Sequence, residues 1–93
     1  MTDRDYIAER INAGAHLIPG HMVGAVRRYI LDGIPPGSFL TAVICNDLFG
    51  AVACADEENL VALASWVRFF YNYAPTGCYG SRENMANWIR SIP

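Results

Sequence analysis

Lysine is absent from this sequence: all seven basic side chains are arginines, against nine carboxylates. The resulting net charge of −2 argues against a DNA-binding or membrane-binding protein, because such proteins usually present a basic surface. Arginine offers a planar fork that binds phosphate through two hydrogen bonds and stacks on nucleobases, which lysine cannot do. The bias toward arginine therefore fits a phosphate-bearing ligand, and codon bias in a GC-rich genome explains it equally well.

Long apolar runs are also missing, and we expect no signal peptide. The longest apolar stretches are interrupted by Asn46-Asp47 and by Arg68, which argues against a membrane span. Residues 1–5 are mostly charged, and no apolar segment of a leader follows them. Three cysteines cannot all pair within one chain, so a reducing cytoplasm is the simpler interpretation; they are Cys45, Cys54 and Cys78.

Motifs typical of enzymes are absent as well. The sequence has no glycine-rich phosphate loop, no zinc-protease motif and no Gly-x-Ser-x-Gly elbow. His16 and His21 could join Cys78 at a metal ion, but polar loop histidines are the simpler interpretation. We therefore expect no catalytic residues, no metal and no cofactor.

The composition that is present is unusually apolar for a small domain. Ninety-three residues are enough for one domain, 1–93, and 53% of them are hydrophobic, with a mean hydropathy of +0.16. A small domain has much surface to cover with polar residues, so this excess predicts a homo-oligomer in which another protomer hides apolar surface. A monomer with a few exposed apolar residues is the alternative.

The pattern of apolar residues predicts an all-α fold, a compact bundle of about five short helices, since no strand-like alternation is found. The predicted helices cover residues 3–13 with Asp3 as N-cap, about 21–31 with Gly33 as stop, and 38–54 with Ser38 as cap. They continue with a helix capped by Asp56 that ends before Pro75, and a last helix capped by Ser81.

Two of these helices carry more apolar residues than one face can bury. The helix over 38–54 is apolar on most of its circumference, which predicts a central position, with Asp47 on its buried stripe. The predicted buried stripe of the fourth helix consists of Leu60, Leu63, Ala64, Val67, Phe70, Tyr71 and Ala74. Trp66, Phe69 and Tyr73 fall outside it and favour a subunit contact.

Several polar side chains have two interpretations. Arg68 either pairs with Asp47 or points at a ligand phosphate. Arg28 either pairs with Asp32 one turn later or converges with copies from other protomers, with Arg27, on one anion. Ser38 and Thr41 add hydroxyl groups beside free N–H groups at a helix start, which suits phosphate, while ordinary capping explains Ser38 just as well.

Three segments resemble a family of small phage proteins, the anti-CBASS cyclic-nucleotide sponges. The resemblance spans about residues 21–92, and its most specific part is Pro36-Gly37-Ser38-Phe39-Leu40 followed by Ala42-Val43. The segments are residues 28–43; residues 46–48 with Ala55-Asp56 and Asn59; and Phe70-Tyr71-Asn72 with Pro75, residues 78–81 and Trp88.

This resemblance implies a helical hexamer in the host bacterial cytoplasm that is not an enzyme. It implies sequestration of cyclic dinucleotides and cyclic trinucleotides, such as cyclic GMP-AMP and cyclic tri-adenylate, so that the effector of CBASS immunity stays silent. In the family, a basic residue of the second helix binds phosphate, an aromatic residue of the first helix stacks on a base, and an arginine of a later helix serves the trinucleotide.

Carried onto this chain, the resemblance assigns the second-helix role to Arg27 or Arg28 and the later arginine role to Arg68. Tyr6 is the only Phe, Tyr or Trp among the first twenty residues, and His16 is the only other ring. The full expected ligand set is Tyr6, Asn12, His16, Arg27, Arg28, Ser38, Thr41 and Arg68. The alternatives are a phage adaptor that binds a host protein, a helix-turn-helix DNA binder, which the acidic composition disfavours, and a cyclic-nucleotide-degrading enzyme.

Overall fold

The computed structural model describes residues 2–93 and shows an all-helical chain in that range. The all-α prediction is confirmed, but the described part has seven α-helices, more than the five expected. They are α1 Asp3–Gly14, α2 Val23–Asp32, α3 Ser38–Ile44, α4 Leu48–Cys54, α5 Glu57–Val61, α6 Leu63–Tyr73 and α7 Arg82–Ser91. Short 3-10 turns lie at Ala15–Leu17, Gly20–Met22 and Thr76–Cys78. Across this range, none of the helices has both the length and the apolar content that crossing a bilayer requires.

Three helix boundaries, one C-terminal and two N-terminal, lie where the sequence predicts them. Gly33 adopts a left-handed conformation with φ 68° and ends α2. The Asp56 side chain accepts a hydrogen bond from the N–H of Asn59 at 2.8 Å and begins α5. Ser81 accepts a bond from the N–H of Asn84 at 3.0 Å and begins α7. The backbone freedom of glycine and side-chain capping are sufficient to set these three boundaries.

Two predicted caps are wrong by one residue. Thr2 caps α1 in place of Asp3, because Thr2 and Asp5 form a reciprocal capping box. Gly37 is the N-cap of α3, and Ser38 is already the first helical residue, without a capping hydrogen bond from its side chain.

The predicted central helix over 38–54 is interrupted, and this prediction is wrong. Asn46 adopts φ 62°, a left-handed conformation that ends α3. Asp47 then caps α4, its carboxylate accepting from the N–H of Gly50 at 2.9 Å. Asp47 therefore serves the backbone of a helix start and does not lie on a buried stripe.

The fourth predicted helix is also divided, at Ala62, and its buried face matches the expected one only in part. Phe70 is buried as predicted, but Trp66 and Phe69 are buried as well, whereas Val67 and Tyr71 are 60% and 76% exposed. Both faces are apolar, so periodicity alone cannot choose between them, and the bulkier aromatic face fills the core. The three residues expected outside the stripe are Trp66, Phe69 and Tyr73; the first two are core residues and the third is half-buried.

Two buried hydrogen bonds fix the centre of the bundle. The hydroxyl of Tyr29 on α2 donates to the carbonyl of Cys78 at 2.7 Å. The indole N–H of Trp66 on α6 donates to Oδ1 of Asn59 on α5 at 3.1 Å. Within residues 2–93 every buried side-chain nitrogen and oxygen has a hydrogen-bond partner, and all three cysteines are free thiols. The core thus holds its polar groups in satisfied pairs, which helps to specify one packing.

Candidate functional site

Arg27 and Asn12 meet where α2 lies against α1. Nη1 of the half-buried Arg27 donates to Oδ1 of the exposed Asn12 at 3.0 Å. This bond restrains the guanidinium and leaves its other N–H groups for a ligand. The structure therefore brings two of the predicted ligand residues together at one surface.

Arg28 is exposed and has no hydrogen bond or ion pair with any residue of the described range 2–93. Its expected partner, Asp32, instead accepts from Nη2 of Arg4 at 3.0 Å, and the same arginine donates to the carbonyl of Leu31 at 2.8 Å. The predicted surface pair of Arg28 with Asp32 is therefore wrong. Its guanidinium lies over Gly24, where an added Cβ would approach Nη1 to 3.1 Å.

Arg68 is likewise exposed, and its side chain has no hydrogen-bonding or ionic partner among residues 2–93. The proposed bridge to Asp47 is absent, because that carboxylate caps α4. Only the backbone of Arg68 is engaged: its carbonyl accepts from Nδ2 of Asn72 at 2.9 Å. Of the two interpretations of Arg68, the intramolecular pair is thus excluded.

Ser38 and Thr41 do not form a polar pocket at the start of α3. The Thr41 hydroxyl donates to the carbonyl of Pro36 at 3.3 Å, so it is occupied in the turn that precedes the helix. Ser38 is exposed and makes no capping bond. These two positions offer weaker support for phosphate binding than the arginines do.

The two rings near the N-terminus both lie close to Tyr73, at the end of α6. Tyr6 is 57% exposed and lines a cleft of about 310 Å³ that is also bordered by Arg10 and Tyr73. His16 is exposed; its Nδ1 lies 3.0 Å from the carbonyl of Ala13, and its ring meets Tyr73 edge-on with centroids 6.3 Å apart. No hydrogen bond connects either ring to Arg27 or Arg28. Within residues 2–93, Tyr6 therefore shares no hydrogen bond with the predicted phosphate-binding arginine of α2, whereas Asn72, at the border of the cleft beside Tyr6, donates to the carbonyl of Arg68.

The candidate metal ligands are not assembled either. Nε2 of His21 lies 3.0 Å from Asp56, and Nδ1 lies 3.7 Å from Glu58, so the two carboxylates approach different nitrogens of the ring. Cys78 is completely buried, and this burial raises the pKa of its thiol to about 12. Residues 2–93 contain no group of three or more metal-ligating side chains close enough to hold an ion.

The guanidinium groups of three of the seven arginines form no hydrogen bond or ion pair within residues 2–93. They are those of Arg28, Arg68 and Arg82. The sequence predicts a ligand role for the first two. An exposed guanidinium without a carboxylate retains its full set of donors, so each can bind phosphate without first breaking an ion pair.

Comparison with protein-family models, curated proteins and solved structures finds no match for this chain. The resemblance to the sponge family therefore stays a prediction.

Proposed function

We propose that this protein is a non-catalytic sponge that sequesters cyclic dinucleotides and cyclic trinucleotides, such as cyclic GMP-AMP and cyclic tri-adenylate. On this proposal it acts in the host bacterial cytoplasm and keeps the effector of CBASS immunity silent. The observation that carries the proposal is the pair of exposed, unpartnered guanidinium groups of Arg28 and Arg68. The resemblance expects a phosphate contact from Arg27 or Arg28 and a contribution to the trinucleotide site from Arg68.

The scarcity of hydrogen bonds among the predicted ligand residues of one chain favours a site built by several protomers. The side chain of Arg27 is hydrogen-bonded to Asn12. The side chains of Arg28 and Arg68 form no hydrogen bond with another predicted ligand residue. In a symmetric assembly, copies of one arginine can converge on the several phosphates of a cyclic ligand. A hexamer of this kind also agrees with the exposed apolar side chains of α4 and α6, among them Phe49, Val67 and Tyr71.

Calorimetric titration with cyclic GMP-AMP and cyclic tri-adenylate tests the proposal. The variants are Arg28→Ala and Arg68→Ala, and Arg82→Ala is the matched control because it is also exposed and unpartnered. Loss of a charge-assisted phosphate contact costs on the order of 1.5–3 kcal/mol. We expect Arg28→Ala to weaken the dinucleotide and Arg68→Ala to weaken the trinucleotide, while the control binds both like the wild type. Wild-type protein that binds neither ligand at micromolar concentration would refute the proposal.

A second experiment separates sequestration from degradation. The complex is denatured by heat, and the released ligand is identified by chromatography and mass spectrometry. A sponge returns the cyclic ligand intact after prolonged incubation, whereas linear products would show a nuclease activity and contradict the non-catalytic proposal.

The exposed apolar side chains also favour a second candidate, an adaptor that binds a host protein. Phe49 on α4 is 87% exposed and Val61 at the end of α5 is 90% exposed, which is unusual for isolated soluble domains when several such residues occur together. Light scattering after size exclusion distinguishes the two cases. A closed homo-oligomer whose assembly is lost in Phe49→Ser or Val61→Ser assigns this surface to self-association. A monomer at micromolar concentration leaves the surface for a different protein and favours the adaptor.

A further inference from the structure

Two sulfur-bearing side chains that the proposed function does not use meet where α3 ends beside α7. Sγ of Cys45 lies 3.6 Å from Sδ of Met85, and the thiol donates its proton to the thioether. The two residues are 40 positions apart in the sequence, so the fold brings their sulfur atoms together. Thiols and thioethers are weak hydrogen-bonding groups, so this contact adds little stability as a hydrogen bond and is easily replaced by a stronger one.

The backbone fixes the positions of both residues. Cys45 is the residue at which α3 ends, and its N–H donates to the carbonyl of Thr41 at 2.9 Å. Met85 lies in the first turn of α7, and the N–H of Gly80, shortly before that helix, donates to the carbonyl of Ile44 at 2.7 Å. The start of α7 is therefore anchored to the last residue of α3, and the two sulfur-bearing residues are preorganised as a pair.

The geometry and exposure of the pair suit a metal ion that is bound by both sulfur atoms. Met85 is 9% exposed, whereas Cys45 is half-buried, so an ion reaches the thiol from solvent and is then covered by the thioether. Two metal–sulfur bonds of about 2.3 Å, the length of a zinc–thiolate bond, span the observed 3.6 Å at an angle of roughly 100°. The sulfur atoms therefore need not move apart to hold an ion.

The chemistry of the two donors selects the kind of ion. Thiolate and thioether sulfur are soft ligands that select Cu(I), whereas hard cations take carboxylate, carbonyl and water oxygens. Zinc takes at least three ligands of the Cys, His, Asp and Glu types, and residues 2–93 contain no group of three such side chains that could hold an ion. Because the thiolate is the metal ligand, the ion takes the place of the thiol proton, which is released to water, and no electron is transferred.

We propose that Cys45 and Met85 form a binding site for one soft monovalent cation, Cu(I), which replaces the thiol proton and links the end of α3 to the first turn of α7. None of the residues expected to bind cyclic nucleotides belongs to this site, so it does not depend on the sponge proposal. Considered singly, Cys45 is simply a small apolar residue of α3, and only the packing of α7 supplies its second sulfur atom.

NMR of the methionine methyl groups tests the proposal, because this readout reports directly on the thioether. The probe is Ag(I), a soft cation that is stable in air, and the exposed Cys54 is replaced by serine so that it does not bind the ion. We expect one equivalent of Ag(I) to shift the methyl resonance of Met85 and to leave that of Met22 unchanged. An unmoved Met85 resonance, or the same shift after the further change Cys45→Ser, would overturn the proposal.

Competition with a chromogenic Cu(I) chelator under anaerobic conditions measures the affinity for Cu(I) itself. Met85→Leu conserves volume, so it is expected to fold normally. Loss of an outer-shell partner already costs 10- to 100-fold in metal affinity, so loss of this ligand should weaken Cu(I) by at least about tenfold. Met22→Leu is the matched control, because it makes the same substitution at a half-buried methionine outside the site. Equal Cu(I) affinity in Met85→Leu and Met22→Leu would overturn the proposal.

Discussion

Replacing Tyr29 by phenylalanine removes a single hydroxyl group from the centre of the fold and keeps the ring that fills the core. Tyr29 is completely buried, and its hydroxyl donates to the carbonyl of Cys78 at 2.7 Å, across 49 residues of sequence. The variant loses this hydrogen bond and leaves a buried carbonyl without a donor. Together these losses cost about 1–3 kcal/mol. In a domain of this size that corresponds to a fall in Tm of roughly 5–20 °C.

The dependence of stability on pH above about 10 gives a second, independent test of the role of Tyr29. Burial raises the pKa of its hydroxyl well above the ordinary value of 10.0, with smaller contributions from Cys78 and Cys45. The folded state therefore keeps a proton that the unfolded state releases above about pH 10, so the contribution of Tyr29 to stability is complete below pH 10 and declines above it. The difference in Tm between the wild type and Tyr29→Phe should decrease as the pH rises through this region.

Thermal unfolding followed by circular dichroism at one fixed protein concentration measures both effects, since assembly would make Tm depend on concentration. Tyr71→Phe is the matched control, because Tyr71 is 76% exposed and its hydroxyl has no hydrogen bond within residues 2–93. An equal Tm for Tyr29→Phe and Tyr71→Phe, or a gap that stays constant through pH 11, would refute the assignment of this hydrogen bond.

Three further predictions concern thiols, a helix start and a carboxylate. Cys54 is exposed and should react at once with a thiol reagent at pH 8, whereas Cys78, completely buried with its pKa raised to about 12, should react only on unfolding; equal rates would contradict the burial. Asp47→Ala should lower the free energy of unfolding by about 1 kcal/mol in urea titrations, and Asp47→Asn by much less, because both Asp and Asn cap helices; equal losses would exclude the capping role. The hydrogen bond from the N–H of Asn59, and then His21, hold the pKa of Asp56 below its ordinary value of 3.8. The contribution of the ionised Asp56 carboxylate to stability is therefore present above about pH 4 and lost as the pH falls below it. Asp56→Asn should thus show a smaller acid-induced fall in Tm than the wild type, and an equal fall would contradict this.

The sequence was sufficient to predict features that depend on one or two neighbouring side chains. Gly33 ends α2 through its left-handed conformation, and Asp56 and Ser81 cap their helices, because each of these interactions is local. The all-α class follows in the same way from the helical spacing of apolar residues. The misplaced cap at Asp3 was an error of one residue, since the neighbouring Thr2 competes for the same role.

Two features were not predicted: one is local, and the other is decided by tertiary packing. The break at Asn46 and Asp47 was missed because both residues fit a helical pattern when considered singly, and only together do they favour a stop followed by a cap. The buried face of α6 was misassigned because Trp66 and Phe69 compete with an equally apolar opposite face, and filling the core decides between them.

The candidate site was predicted only in part for the same reason. Arg28 and Arg68 were singled out from the sequence, but whether each has a partner depends on Arg4 and Asp47, which lie far away in the chain. The pairing of Cys45 with Met85 depends on α3 ending beside α7, and neither residue carries a sequence signal of that contact.

Titration of the wild type with cyclic tri-adenylate, with Arg68→Ala and Arg82→Ala measured beside it, tests the sponge proposal most directly. The account predicts binding at micromolar ligand or below by the wild type and by Arg82→Ala, and binding weaker by roughly tenfold or more in Arg68→Ala, because only the latter removes a phosphate contact. An absence of binding heat with the wild type, or binding that is weakened equally in both variants, would contradict the sponge proposal.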